Sequence, residues 1–402
     1  MQISGKEFLS TNNNHFQRYL QYSVSILSLY NGHEPFHLFL KKYFSKNKKH
    51  GSKDRKLITA LCYNYFRLGF GVSIPARQEE KFLLAFFLCE KSPSLFLDFF
   101  KPGWNASIKL PLSDKLKIVS KEFNEENLFP FGDDLSNEID FHQFTLSFLI
   151  QPKLFIRIRP GCGKNVINKI KQAGFSFEEL SENCIGFSNN EKVSNTIEID
   201  QEAVVQDYNS QKTLDFLRPV IENEKKAMSI WDCCAGSGGK SILAYDILKN
   251  TKLTVSDKRN SILENLKVRF DKAGITGSKL ITVDLEKSFY ETSEVFDIII
   301  ADVPCSGSGT WARTPEQLHF FKKEEIGKYA SLQRKIVENV SPHLKSNGHL
   351  LYITCSVFIK ENEENVIFFQ EKYKLNLLKV EYLKGYEMQA DTLFVALFKK
   401  SE

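Results

Sequence analysis

"MSIWDCCAGSGGKSILAYDILKN", residues 228–250, decides how the C-terminal half of the chain is read. An apolar run through Trp231 has the texture of a buried strand, and "KSILAYDILKN" that of a helix. The turn between them, Asp232–Ser241, holds Gly236, Gly238 and Gly239. Glycines there let backbone approach a ligand closely, and the helix N-terminus behind them offers free N–H groups. The turn is not a G-x-x-x-x-G-K-[ST] phosphate loop. Counting back from Gly239-Lys240-Ser241 requires a glycine at 234, where Cys234 stands. Nor does it match G-x-G-x-x-G, so a dinucleotide is not the expected ligand.

Outward from this turn, strands and helices alternate to the end of the chain: "KLTVS", "KLITV", "FDIIIA", "GHLLYITC", "LNLLKVE" and "TLFVALF" are strands with helices between most of them. That order predicts an α/β domain with a parallel, doubly wound sheet over 216–402. Asp257 closes the second strand, about twenty residues past the glycines, where an acid accepts from ribose hydroxyls; Asp284 closes the third. Each alone also reads as a helix cap. Taken together, three strand ends in register with the glycine turn predict a cleft for a nucleoside without a long phosphate tail.

Asp302 and Cys305, in "DVPCSGSGTW", end the fourth strand, and Cys355, in "YITCS", ends the fifth. Adjacent strand ends would bring both thiols to the same cleft. A thiol is a useful nucleophile only as thiolate, so it needs a depressed pKa or a local base. The chain has eight cysteines, at 62, 89, 162, 184, 233, 234, 305 and 355, with no CxxC pair and no Cys/His cluster. That argues against a disulfide framework and against a metal site.

The 402 residues, 42% hydrophobic and 26% charged, describe an ordinary globular protein with a formal charge of +5. Residues 1–130 read as helical, with Tyr19, Tyr22, Ile26, Leu27 and Tyr30, then Leu57, Leu61, Tyr65 and Leu68, at helical spacing. "FLLAFFLCEKSPSLFLDFF" (Phe82–Phe100) is interrupted by Glu90, Lys91 and Pro93 and reads as buried helix, not a membrane span. With no basic start and apolar run at the N-terminus, the expected location is cytoplasmic, without a membrane. Lys41–Lys56 holds eight Lys/Arg against one acid, either a solvated loop or a phosphate-contacting patch. Residues 140–215 form a small α+β unit, with "KLFIRIRP" and "NTIEID" as strands and "NVINKIKQAGF" as a helix; Arg157 and Arg159 share one strand face as surface arginines.

The ordered motifs "DCCAGSGGKS", "SDKRN", "ITVD", "DVPCSGSGTW" and "YITCS" resemble the Sun/NOP2-type (RsmB-like) RNA cytosine-C5 methyltransferases, which use S-adenosylmethionine. "LIQPKLFIRIRPG" and "VVQDYNSQKT" are similar to that family's small RNA-binding subdomain, and "KDRKLITALCYNYFRLG" to the NusB-like domain of its bacterial ribosomal RNA members. The resemblance implies a Rossmann-like class I methyltransferase domain after a small α+β RNA-binding subdomain and an all-α NusB-like domain. It implies Cys355 as nucleophile on C6 of cytosine, Cys305 as helper in breaking down the adduct, and Asp302 at the cytosine edge. Cys234, Ala235, Gly236, Ser237, Gly238, Gly239 and Lys240, with Asp257, Asp284 and Asp302, would hold S-adenosylmethionine. The implied partner is RNA with a single-stranded or flipped-out cytosine, small-subunit ribosomal RNA first and transfer RNA second; a monomer is the default. The departures are Ser237, where the family often has proline, and Ile158-Arg159, where it often has asparagine after Arg-Val. Two other readings remain. A nicotinamide dehydrogenase would need the missing dinucleotide motif. An RNA-binding or ribosome assembly factor without chemistry is opposed by the intact cysteines and glycine turn.

Overall fold

The computed structural model describes residues 5–73, 77–189, 191–221, 226–248, 251–287 and 291–401. They fall into two compact units. One comprises 1–132, 140–151 and 311–321; the other comprises 133–139, 152–310 and 322–402.

The first unit is helical, led by Gly5–Leu29, Phe36–Lys46, Ser52–Arg67 and Gln78–Cys89. Phe82 to Leu88 are all buried, and the greasy stretch breaks into two helices, the second being Leu95–Phe100. Among the described residues no helix is long and apolar enough to cross a membrane. In Ser52–Arg67 the buried face runs through Ile58, Leu61, Cys62 and Phe66; Leu57 and Tyr65 are half-buried. Arg67, 1% exposed, donates to the carbonyls of Phe148 (2.8 Å) and Ala312 (2.7 Å) and to Gln151 Oε1 (2.7 Å). A buried guanidinium is tolerated there because its N–H groups find acceptors.

The second unit contains two sheets. The smaller is antiparallel: β1 (Leu154–Ile158), β2 (Phe177–Ser181), β3 (Cys184–Phe187) and β4 (Ala203–Val205), in the order β2-β3-β1-β4. "NTIEID" is not one of its strands. Val193–Asn195 is a 3₁₀ turn, and Ile199 makes only an isolated bridge to Ala203. The helix Gly163–Gln172 sets Val166 and Ile170 on Ile156, Ile158 and Ile185.

The larger sheet has seven strands: β5 (Ser229–Asp232), β6 (Lys252–Asp257), β7 (Lys279–Thr282), β8 (Phe296–Asp302), β9 (Leu344–Thr354), β10 (Leu375–Leu383) and β11 (Leu393–Lys400). Their order is β10-β11-β9-β8-β5-β6-β7. Strands β5 to β9 are parallel, as helical crossovers dictate. The expectation of an all-parallel sheet fails at its edge: β11 runs antiparallel to both β9 and β10. The connection from Leu383 to Leu393 carries no helix long enough for a crossover, so the chain doubles back. Ile298 and Ile300 of β8 share a core with Ile242, Leu266 and Phe270. Tyr352 of β9 packs its ring on Phe369 of the helix Glu363–Tyr373, centroids 5.1 Å apart.

Arg157 and Arg159 are not surface arginines. Arg157 is 5% exposed and donates from Nη1 to Asp246 Oδ2 (2.6 Å); Arg159 donates from Nη2 to Asp246 Oδ1 (2.8 Å) and from Nη1 to the Ala273 carbonyl (2.7 Å). Asp246 belongs to the helix Gly239–Ile247, which starts at the glycine turn. The pair therefore ties β1 to that helix. Removing one partner of a buried ion pair strands charge, which typically costs about 3–5 kcal/mol. Asp246→Ala should lower unfolding stability by about that much in urea titration; a loss below about 1 kcal/mol would show the arginines are not anchored there.

Asp232, at the end of β5, is 1% exposed and accepts from Ser241 Oγ at 2.5 Å. Burial pushes its carboxyl up from 3.8 to about 7, against the Ser241 hydrogen bond and with help from Asp302. The folded state thus holds a proton that the unfolded chain releases near pH 4, so stability falls as pH rises across that window. Asp232→Asn, neutral at every pH, should flatten the decline of Tm between pH 4 and 7. An unchanged slope in thermal melts would exclude this carboxyl as its source.

Candidate active site

The sheet's strand order reverses direction between β5 and β8, and ligands of open α/β sheets bind outside the carboxyl ends at such a switch point. A cleft of about 310 Å³ opens there. Of the residues expected from sequence, Cys234, Gly236, Asp257, Asp284, Asp302, Cys305 and Cys355 line it; Ala235, Ser237, Gly238, Gly239 and Lys240 do not.

The glycine turn is fixed by backbone. Ala235 N–H donates to the Ser256 carbonyl (2.9 Å) and Gly238 N–H to the Ala235 carbonyl (2.8 Å). Gly238 has φ +81°, a left-handed backbone that favours glycine, and a Cβ there would also push aside Leu266 Cδ1, 2.0 Å away. Gly239 opens the helix behind it. Ser237 gives its carbonyl to Arg269. Asp257 Oδ2 accepts from Gly236 N–H (3.2 Å), and Oδ1 accepts from Arg259 N–H (2.9 Å). Burial alone would raise the Asp257 carboxyl, but Arg259 outweighs it and holds it below the usual range. Asp284 accepts from Glu286 N–H at 3.2 Å, the local turn that the capping reading describes, and still faces the cleft.

Lys240 Nζ sits 2.7 Å from Asp302 Oδ2. Burial pulls the ammonium down, yet Asp302 beside it wins and keeps it above the ordinary lysine value. Lys240, expected at the cofactor, is thus directed at the aspartate of the "DVPC" turn.

The two cysteines come together. Sγ of Cys305 and Sγ of Cys355 are 3.1 Å apart, and Cys355 N–H donates to Cys305 Sγ at 3.3 Å. Register does the first part: Asp302 of β8 pairs with Ile353 of β9. The turn after Cys305 does the rest. Gly309 N–H donates to the Cys355 carbonyl (2.8 Å), and Thr392 N–H donates to the Gly309 carbonyl (2.9 Å). A Cβ on Gly309 would meet Thr392 O at 2.1 Å, so only glycine lets the three segments close up. The contact with Cys355, then burial, push the Cys305 thiol well above its ordinary pKa, and Glu361 adds to this.

Sequence reading missed Glu361. It is fully buried and reaches both cysteine turns. The signal was the acid- and amide-rich run "KENEEN", residues 360–365, which begins five residues after Cys355.

Residues 217–397 match the family described as "16S rRNA methyltransferase RsmB/F". The probable ribosomal RNA small subunit methyltransferase B of Bacillus subtilis is 32% identical over 174 residues, 42% of this chain and 38% of that protein. The chain thus spans about two fifths of the length of the curated relatives it matches first. Among solved structures, PH0851 covers 91% of this chain and 95% of its own, with TM-score 0.67 at 19% identity. NSun6 from Pyrococcus horikoshii, solved with SFG, covers 65% of this chain and 94% of its own, with TM-score 0.54 at 15% identity. At those identities the solved structures establish the fold, and the family match, over a little under half of the chain, makes residues 217–397 similar to the methyltransferase domain of the RsmB/F family.

Proposed function

We propose that the chain is an S-adenosylmethionine-dependent methyltransferase forming 5-methylcytosine in RNA, with small-subunit ribosomal RNA as substrate. The observation that carries this is the pair of sulfurs 3.1 Å apart at a cleft bordered by a glycine turn. The match to the RsmB/F family and the names of the curated relatives support the ribosomal substrate.

The cleft fits the cofactor. Its backbone turn admits close approach, its acids suit hydroxyl and amino groups, and its volume is that of a small-molecule site. Residues Cys234 to Lys240 would cradle it, with Asp257 on the ribose hydroxyls and Asp284 near the adenine. Bound there, S-adenosylmethionine supplies an activated methyl on a sulfonium.

Cytosine C5 is a poor nucleophile, and the chain's thiols change that. Cys355 Sγ, as thiolate, bonds to C6, and the C5=C6 π pair moves to C5, which would then be electron-rich enough to accept a methyl released from the sulfonium. Water entering the open cleft takes the C5 proton, the C5–H pair restores the double bond, and Cys355 leaves as thiolate. Cys305, 3.1 Å away, assists that expulsion. Asp302, paired with Lys240, accepts from the exocyclic amino group of the base and so orients it. The base must leave its stack to reach this cleft.

In the helical unit, all eight cations of Lys41–Lys56 are exposed. Only Lys42 has an ion-pair partner among the described residues, Glu34 at 2.6 Å, while Asp54 is held by Tyr19 Oη and Gly51 N–H. This hairpin contacts RNA phosphates.

Two measurements test the reading. Cys355→Ala should lose methyl incorporation into RNA by at least about 1,000-fold, while Cys305→Ala with S-adenosylmethionine should give a shifted protein–RNA band on a denaturing gel, absent in the double variant. An active Cys355→Ala protein would overturn the assignment. Lys46→Glu/Lys49→Glu/Lys53→Glu should weaken RNA binding and reduce the slope of log affinity against log salt by about 2; an unchanged slope would return the hairpin to solvent.

A further inference from the structure

Glu361 is fully buried and, among the described residues, has no cation within ion-pair distance. A lone buried carboxylate is costly, and it persists only where hydrogen bonds answer it. Here each donor belongs to the cysteine machinery. Oε2 accepts from the backbone N–H of Ser306 (3.0 Å), the residue after Cys305. Oε1 accepts from Ser356 Oγ (2.7 Å), the residue after Cys355. Gln333 Nε2 donates to Oε2 (2.7 Å) and to the Pro304 carbonyl (3.1 Å), the residue before Cys305. Gln333 is itself held: its Oε1 accepts from Tyr352 Oη (3.1 Å) and Asn365 Nδ2 (2.8 Å).

We propose that Glu361 is the positioning residue of the cysteine pair: one buried carboxylate grips the turn after Cys305 and the turn after Cys355 together, and so sets the separation of the two sulfurs. The inference rests on the two-thiol reading above for its catalytic consequence, but not for its geometric one. Strands β8 and β9 bring the two turns side by side, yet both turns are loops that end their strands. The hydroxyls of Ser306 and Ser308 also reach across, to Ser356 Oγ (3.1 Å) and Val357 N–H (2.9 Å), and among the hydrogen bonds of the described residues Glu361 is the one carboxylate with an oxygen on each turn. Its role is an acceptor role. A glutamine can keep it, turning its carbonyl to Ser306 N–H and Gln333 and its amide to Ser356 Oγ, which can accept as well as donate. A leucine cannot.

The test compares Glu361→Leu, Glu361→Gln and Ser356→Ala in the full chain, each checked for fold by thermal melting and for S-adenosylmethionine binding. Misplacing reacting groups by about 1 Å costs on the order of 100-fold. Glu361→Leu should lose about that in kcat with KM for RNA little changed, and Glu361→Gln should recover to within about 5-fold of wild type. Ser356→Ala, which removes the Cys355 turn's hydrogen bond to Glu361 together with its links to Ser306 and Ser308, should lose about 10-fold, and it serves if the leucine variant does not fold. A second readout needs no RNA: diamide takes two electrons and two protons from the thiol pair, forming the Cys305–Cys355 disulfide, and its rate reports their separation. That rate should drop at least about 10-fold in Glu361→Leu and stay near wild type in Glu361→Gln. If Glu361→Leu couples its thiols at the wild-type rate, or if glutamine fails as badly as leucine in both assays, the proposal is overturned. Loss of the expected RNA product in wild type with an intact disulfide pattern would instead remove the methyltransferase reading and leave Glu361 as the clamp.

Discussion

Two sulfurs held 3.1 Å apart without a bond are the constraint around which the site is organised. Neighbouring strands lie about 4.8 Å apart, so register alone does not create such a contact. The turns beyond the strand ends have to lean towards each other and be kept there. Gly309 gives one side of the closure, because nothing larger than hydrogen fits between it and the Thr392 carbonyl. Glu361 gives the other, from inside the protein. Thr392 immediately precedes β11, so even the antiparallel edge of the sheet takes part in placing the cysteines.

The same economy of construction appears at the glycine turn. Trp231 Nε1 donates to Ser256 Oγ (2.9 Å), and Ser256 Oγ donates to the Cys233 carbonyl (2.9 Å), locking β5 to β6 below the turn. The helix that starts at Gly239 carries Lys240 towards Asp302 at one end and Asp246 towards Arg157 and Arg159 at the other. One nine-residue helix thus joins the cleft, the fourth strand end and the small sheet. Strain or slippage at its far end would be felt at Asp302.

The strand–glycine–helix series and the two cysteine turns were legible in sequence because they are local: period, glycine and strand end all lie within a few residues of each other. What was misread depends on partners far along the chain. Arg157 and Arg159 alternate with apolar residues as exposed arginines do, and their acid comes 89 residues after Arg157. "NTIEID" has strand composition but only one bridge to satisfy it. Strand direction at the sheet edge is set by connection length, which β-propensity does not encode. Glu361 sits in a run of acids that resembles the solvated first turn of a helix; only its burial reveals it.

The charges around the cysteine pair are unequal, and that inequality bears on the division of labour proposed for two chemically identical groups. Cys305 faces the carboxylate of Glu361, whose field disfavours a second negative charge and helps to keep that sulfur protonated. On the other side stands Lys240, whose ammonium interacts with Asp302 first and with Cys355 as well. A nearby cation favours a thiolate, and a nearby anion favours a thiol. Two thiols in contact cannot comfortably both be ionised, so a small asymmetry in their surroundings decides which carries the charge. The fold supplies that asymmetry with a cation from the cofactor turn and an anion from the helix side. In the proposed reaction Cys355, on the side of the ammonium, is the nucleophile, and Cys305, held as the thiol, is the neighbour present when the first sulfur leaves.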